Sequence, residues 1–261
     1  MITDQNIPTL MIHLYSLRRQ LSMDLEGTIA SIAEIGFTCV EPVELPGIKY
    51  EDMKIVLNQF GLSAPSVHCK LPIGPHKNEV IEYALEMGHR YLITSTPPSG
   101  INQFQKLDSL KAVAELYCQA AESAAAYGLS VGYHNHAKDL TIIDGKASHM
   151  HFLEHTPETV LWEANLFWVA KAGLDPQTFL REIGGRGRVL HFSDGLINSA
   201  NTFIPYSAAG SGQLDLIAAS KEASAAEYIG VSLDDFEGNL WEAIKESYKF
   251  LNTNKIAQGN Q

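Results

Sequence analysis

The stretch LDSLKAVAELYCQAAESAAAYGLSVGYHNH, residues 107–136, contains one complete unit of the chain. Its first part places apolar residues at i, i+3 and i+4, the pattern of a helix with one buried face. Gly128 follows as a good residue for the left-handed turn that ends a helix. LSVGYHNH (129–136) then alternates apolar and small or polar residues, the pattern of a strand with two unlike faces.

The same unit recurs in both directions. Strand-like runs lie at 9–16, 38–43, 62–69, 90–95, 129–136, 159–166, 188–194 and 228–235. Helical patterns separate them. Asp24, Asp175 and Asn239 stand where N-caps are expected. EIG, NQFG, EMG and AAYG each close a helix just before a strand. Strand and helix repeated eight times predict a parallel sheet with right-handed crossovers. The chain has 261 residues, close to the roughly 250 of a closed (β/α)8 TIM barrel. An open doubly wound sheet is the alternative, but no GxGxxG follows the first strand. The expected organisation is one barrel domain over 1–251 and a polar, frayed tail over 252–261.

Composition narrows the function classes. A net charge of −11 argues against non-specific binding to DNA or anionic membrane. No apolar run reaches the roughly 20 residues of a membrane helix. MITDQNIP lacks the order of a secretory signal. Cys39, Cys69 and Cys118 show no zinc spacing and read as reduced thiols in a cytoplasmic protein.

Alternate strand residues of a barrel face its interior. On strand five, Leu129, Val131 and Tyr133 oppose Ser130, Gly132, His134 and His136. On strand six, Val160, Trp162, Ala164 and Leu166 oppose Leu161, Glu163 and Asn165. On this parity Glu41, His68, His134, His136, Asn165, His191, Ser232 and Asp234 can point inward, near the C-terminal strand ends. Active sites of such barrels lie at that end. A lone inward histidine is more often a satisfied core residue, but eight polar residues at one end are better explained as a lined cavity.

HLYSLRRQL, IAEIGFTCVEPVEL, GYHNHAKDL, FWVAKAGLDP, GGRGRVLHFSDG and AAGSGQLD together resemble the xylose-isomerase-like TIM barrels, the sugar phosphate isomerase/epimerase superfamily, in its YHNH branch. The resemblance runs along nearly the whole chain. It implies a divalent metal (Zn, Mn, Co or Mg) that polarises sugar oxygens while a base moves a proton beside a carbonyl. The usual ligands are an acidic residue on strand five, aspartate on six, histidine on seven and glutamate on eight. Here these positions hold His134, Asn165, His191 and Ser232, a set without formal negative charge. Asp234, which shares the parity of Ser232, is the expected replacement. The expected metal set is therefore His134, Asn165, His191 and Asp234.

Glu41, His134 and Asp234 are the candidate proton handlers. For Glu41, orienting a neighbouring histidine is an equal reading. His68, His136, Trp168 and Asp194 are expected to bind substrate. Arg18 reads as a surface residue before an anion binder. The glycine loop ending in SAAGSGQLD is a weak phosphate signal at a helix N-terminus. His149, His151 and His155 read as surface residues. The expected function is sugar isomerase/epimerase-like, acting on a small sugar, polyol or sugar acid. Alternatives are a dehydratase of the inosose or dehydroshikimate type, an apurinic endonuclease, and a non-catalytic sugar-binding barrel. The expected partner is a sugar-like small molecule, without nucleic acid or membrane; a homodimer is an open option.

Overall fold

The computed structural model describes residues 7–96, 103–197 and 206–260. All eight expected strands form: β1 (Thr9–His13), β2 (Cys39–Glu41), β3 (Ser66–His68), β4 (Tyr91–Thr94), β5 (Ser130–His134), β6 (Leu161–Asn165), β7 (Val189–His191) and β8 (Tyr228–Val231). They form one parallel sheet, ordered β2-β1-β8-β7-β6-β5-β4-β3. Between the end strands lie two parallel bridges, Cys39 with Ser63 and Val43 with His68, which bring the sheet round into a (β/α)8 barrel. The strands are shorter than their sequence runs. In the run 62–69, Pro65 has no N–H to donate, and regular pairing begins only at Ser66.

The expected two faces are realised. Met11, Cys39, Tyr91, Ile93, Leu161 and Val189 form a small cluster inside the barrel. Ile12, Val40, Leu92, Val131, Trp162, Leu190 and Ile229 belong to the larger core, together with helical Ile29, Val113, Phe179 and Ile244. Burial of these side chains contributes about 1.5–3 kcal/mol each. The predicted caps also form: Asp24 accepts from Gly27 N, Asp175 from Thr178 N and Asn239 from Glu242 N.

Register places the polar residues. Paired Cα positions set His13 beside Glu41, His134 beside Glu163, and Asn165 beside His191. Neighbouring strands therefore bring their last inward residues to one level, above the apolar interior.

The tail departs from expectation. Gln258 N donates to Pro8 O at 2.9 Å, Leu10 N to Gln258 O at 2.8 Å, and Asn260 N to Gly36 O at 2.7 Å. Ile256 and Ala257 are buried. Satisfied backbone and apolar burial hold this segment against the N-terminal end of β1. Among the described residues, no helix is long and apolar enough to cross a membrane.

Candidate active site

Two buried carboxylates organise the barrel mouth. Glu163, on β6, accepts from His68 Nε2 at 2.7 Å and from His134 Nδ1 at 2.6 Å, both through Oε2. Glu41, on β2, accepts from His191 Nε2 at 2.7 Å and from the Ser66 hydroxyl. The two pairs are linked: His68 Nε2 lies 3.5 Å from Glu41 Oε2, and His191 Nε2 lies 3.7 Å from Glu163 Oε2. Both carboxylates and His191 are 0 % exposed. Burial of unpaired charges would cost several kcal/mol, so pairing is what makes the cluster tolerable.

The cluster continues towards solvent. The His13 ring lies 4.4 Å from that of His68 and 4.9 Å from that of His191, centroid to centroid. His13 Nδ1 is 4.0 Å from Asp234 Oδ1, whose side chain is 14 % exposed. Asp234 also accepts from the hydroxyls of Ser232 at 3.2 Å and Ser16 at 3.4 Å. Gly230 leaves room for the His191 ring, since a Cβ there would sit 2.9 Å from His191 Cδ2.

Environment divides the histidines. Burial, reinforced by neighbouring imidazoles, holds His13 and His134 well below the ordinary histidine value. Burial opposes charge on His68 and His191 as well, but Glu41 and Glu163 outweigh it. His68 is raised, and His191 is raised to about 9. Burial would raise Glu163, yet His191 and His68 bring it down. Burial lifts Asp234, with His191 partly offsetting it. Groups pushed apart in this way can serve as acid and base in one site.

The central asparagine of YHNH is structural. Asn135 Oδ1 accepts from Trp162 Nε1 at 3.0 Å and from Asn165 N at 3.3 Å, pinning β5 to β6. The His136 ring lies 5.3 Å from that of His134 and 5.8 Å from that of Trp168, and its Nδ1 is 3.6 Å from Asp139 Oδ2.

The chain superposes along nearly its full length on solved structures. Two are described as a sugar phosphate isomerase/epimerase from Parabacteroides distasonis. One has 19% identity and a TM-score of 0.75, covering 98% of this chain and 97% of the other. The second has 18% identity and a TM-score of 0.78, covering 96% and 100%. Both share the (β/α)8 barrel fold of this chain. A probable 3-DHS dehydratase from Bacillus anthracis is similar at 14% identity and a TM-score of 0.74, covering 94% of this chain and 98% of the other. An IOLI protein with a bound zinc atom is similar at 13% identity and a TM-score of 0.70, covering 95% and 98%. No protein-family model and no curated protein matches the chain.

Within the barrel the expected metal set does not come together. Asn165 Oδ1 caps the next helix by accepting from Trp168 N at 3.3 Å. Asp234 turns to Ser16, Ser232 and His13. His134 and His191 are instead grouped with His68 and Glu163, with one ligand atom from each lying within 4.8 Å of the others. Three imidazole nitrogens and a carboxylate suit Zn²⁺ or Co²⁺ better than Mg²⁺. Glu163 Oε1 and His191 Nδ1 are buried without a partner among the described residues. This deeper set fits a divalent ion, where the expected one does not.

Several other expectations change. Asp194, expected against substrate, accepts from Gly195 N at 2.8 Å, Leu214 N at 3.1 Å, and Gly210 N and Gly212 N at 3.0 Å each. It clamps the glycine loop. Arg18 is paired with Asp235 and lies over the Tyr15 ring. His149 and His151 are not surface residues: His149 Nε2 donates to Glu182 Oε2 at 2.8 Å, and His151 Nε2 to Ile143 O at 3.0 Å. Glu163 and His13 are not among the residues the sequence singles out. Parity alone marks Glu163, two places below Asn165 on the same strand face. The pairing of β1 with β2, which sets His13 beside Glu41, marks His13.

Proposed function

We propose that this chain is a sugar isomerase/epimerase-like enzyme that moves a proton on a carbon beside a carbonyl. The observation that carries this reading is the continuous run of acid–base side chains from Asp234 at the mouth, through His13, to the two buried carboxylates. Such chemistry needs one group to take the C–H proton and another to return it. Asp234, partly exposed and with its carboxyl raised by burial, is the group positioned to meet substrate. Glu41 holds His191, and the charged His191 provides positive potential where negative charge develops on a substrate oxygen. Glu163 sets the orientation of His68 and His134. A divalent ion bound by His68, His134, Glu163 and His191 would require those imidazoles to give up their ligating protons, so it would replace the charged His191 as the source of positive charge and would supply Lewis-acid polarisation of a substrate oxygen. A dehydratase begins with the same proton abstraction and differs in its leaving group.

Deuterium wash-in tests the proposal. The protein is incubated in D2O with unbranched ketoses, inososes and 3-dehydroshikimate, and products are followed by NMR. Deuterium at the carbon beside the carbonyl, without loss of water, is the expected result. Exchange accompanied by a dehydrated product replaces isomerase with lyase. No exchange with any compound, while the protein remains folded, overturns both.

A further inference from the structure

We infer that the barrel carries a second ligand site, a side chamber between two neighbouring helices that takes a small organic ammonium ion with an alkyl or aryl body. The inference goes beyond the proton-transfer reading and holds whichever reaction the barrel performs. The chamber lies between helices Tyr50–Gln59 and Lys77–Met87, where the chain leaves β2 and β3. Its volume is about 550 Å³, within the roughly 300–1,000 Å³ of small-molecule sites. Val43, Leu45, Ile48, Met53 and Val80 give it apolar walls. Of the buried acid–base cluster only His68 lines it, and His68 Nε2 is turned inward to Glu163 at 2.7 Å.

The charge around the chamber is one-sided. Glu79, Glu82, Tyr83 and Glu86 stand at i, i+3, i+4 and i+7, along one stripe of their helix. Glu51 on the other helix and Glu44 beyond β2 complete the acidic lining. Five carboxylates thus stand against two ammonium groups, Lys49 and Lys70. Among the described residues only Glu79 of the five has a cation within ion-pair reach, His76 Nδ1 at 3.8 Å. Like charges gathered round one space repel, and a bound cation relieves that repulsion. An anionic ligand would meet more carboxylates than ammonium groups.

An aromatic corner points to the same ligand independently of the charge. The Tyr50 and Tyr83 rings, both in the lining, meet at 5.4 Å and 64°, so their faces look in two directions. The face of a tyrosine ring attracts an ammonium group lying within about 6 Å of its centre. The carboxylates are distributed about both rings. A hydrogen bond to Glu51 holds the Tyr50 hydroxyl above the ordinary tyrosine value, with Glu86 and Glu82 adding to it. Burial pushes the Tyr83 hydroxyl up to about 12, with Cys69 and Glu44 adding. Crossed tyrosine faces, carboxylates beside them and an apolar wall below are the contacts that an amphipathic amine needs.

Charge-matched probes test the site. Phenethylamine and hexylamine are titrated into the full chain by calorimetry, beside the neutral 2-phenylethanol and 1-hexanol and the anionic 3-phenylpropionate, and contacts are mapped by amide chemical shifts. At least one amine is expected to bind about tenfold or more tightly than its alcohol, to weaken as salt screens the exposed carboxylates, and to move the Cys69 and Tyr83 amides. Tyr50→Ala should weaken that binding about threefold to fivefold, the value of a cation–π contact at an exposed site. Glu82→Gln with Glu86→Gln should weaken it further. Tyr50 is 40 % exposed and both glutamates lie on the surface, so neither variant should lower the melting temperature. Equal binding of amine and alcohol, binding of neither amine, amide shifts confined to other parts of the barrel, or parent affinity in both variants each overturns the inference. Deuterium wash-in is read separately on the same samples, so loss of the proton-transfer reading leaves this site standing, and the reverse.

Discussion

His134 Nδ1 donates to Glu163 Oε2 at 2.6 Å across two neighbouring strands, and His68 Nε2 shares the same oxygen at 2.7 Å. One buried carboxylate thus fixes two imidazoles that no local sequence feature holds in place. Glu163→Ala leaves a cavity and two unpaired rings. It is expected to lose about 3–5 kcal/mol of stability, measured by urea unfolding. A loss below about 1 kcal/mol would mean that the cluster is wetter and looser than its distances imply.

The divided histidines predict a stability maximum near the ordinary histidine value. His68 and His191 are raised, so their contribution is complete below about 6.5 and is lost as pH climbs through about 9, the His191 value. His13 and His134 are lowered, so the unfolded chain takes up their protons first and stability falls as pH drops below about 6.5. Glu163, also lowered, adds to the acid limb as pH falls further. Unfolding free energy measured from pH 5 to 10 should pass through a maximum, and His191→Gln should flatten its alkaline side. A monotonic rise to pH 10 in the parent protein would contradict this.

Zn²⁺ or Co²⁺ should raise the melting temperature, and Mg²⁺ should leave it unchanged. At one hundred times its dissociation constant, the ion would add about 2.7 kcal/mol. Glu163→Gln is expected to abolish the shift, and Asp234→Asn to preserve it, because Asp234 lies outside the donor group. The reverse pattern would return the ion to the position anticipated from the sequence.

Gly212→Ala should be severe although Gly212 is not a member of the buried cluster. A Cβ there would meet Asp194 Oδ1 at 2.1 Å and Gly195 N at 2.4 Å. Relief requires the clamp to open. The expected cost is at least about 2 kcal/mol, with faster hydrogen exchange at the Gly210 and Leu214 amides. Unchanged exchange at both would show that the clamp tolerates the methyl group.

Most of the fold is legible in the sequence because its signals are local and repeated. Two-residue alternation separates Val131 from His134, and Asp24, Asp175 and Asn239 announce helix starts within three residues of their partners. The site is less legible because its contacts join residues such as Glu41 and His191, 150 positions apart. Side-chain direction beyond a strand end is not periodic, which is why Asp194 and Asp234 turned out to have different partners from those expected. Glu163 is the instructive case. Its inward parity is plain, but the resemblance draws the eye two places along, to Asn165. The buried His149 follows the same logic: three histidines on a polar-looking helix give no hint of Glu182 waiting on another.

The pairing of Glu41 and Glu163 with His68 and His191 also sets a limit on turnover. The four groups share their charge and protons within one buried cluster, out of reach of bulk water. Exporting a proton from this quartet would strand a buried charge at a cost of several kcal/mol. Such a centre favours chemistry that returns what it borrows. Isomerisation, epimerisation and elimination of water all close their proton balance within a cycle. A reaction that released an acid equivalent at every turn would require a conduit to solvent, and the only partly exposed link in the run of described acid–base groups is Asp234.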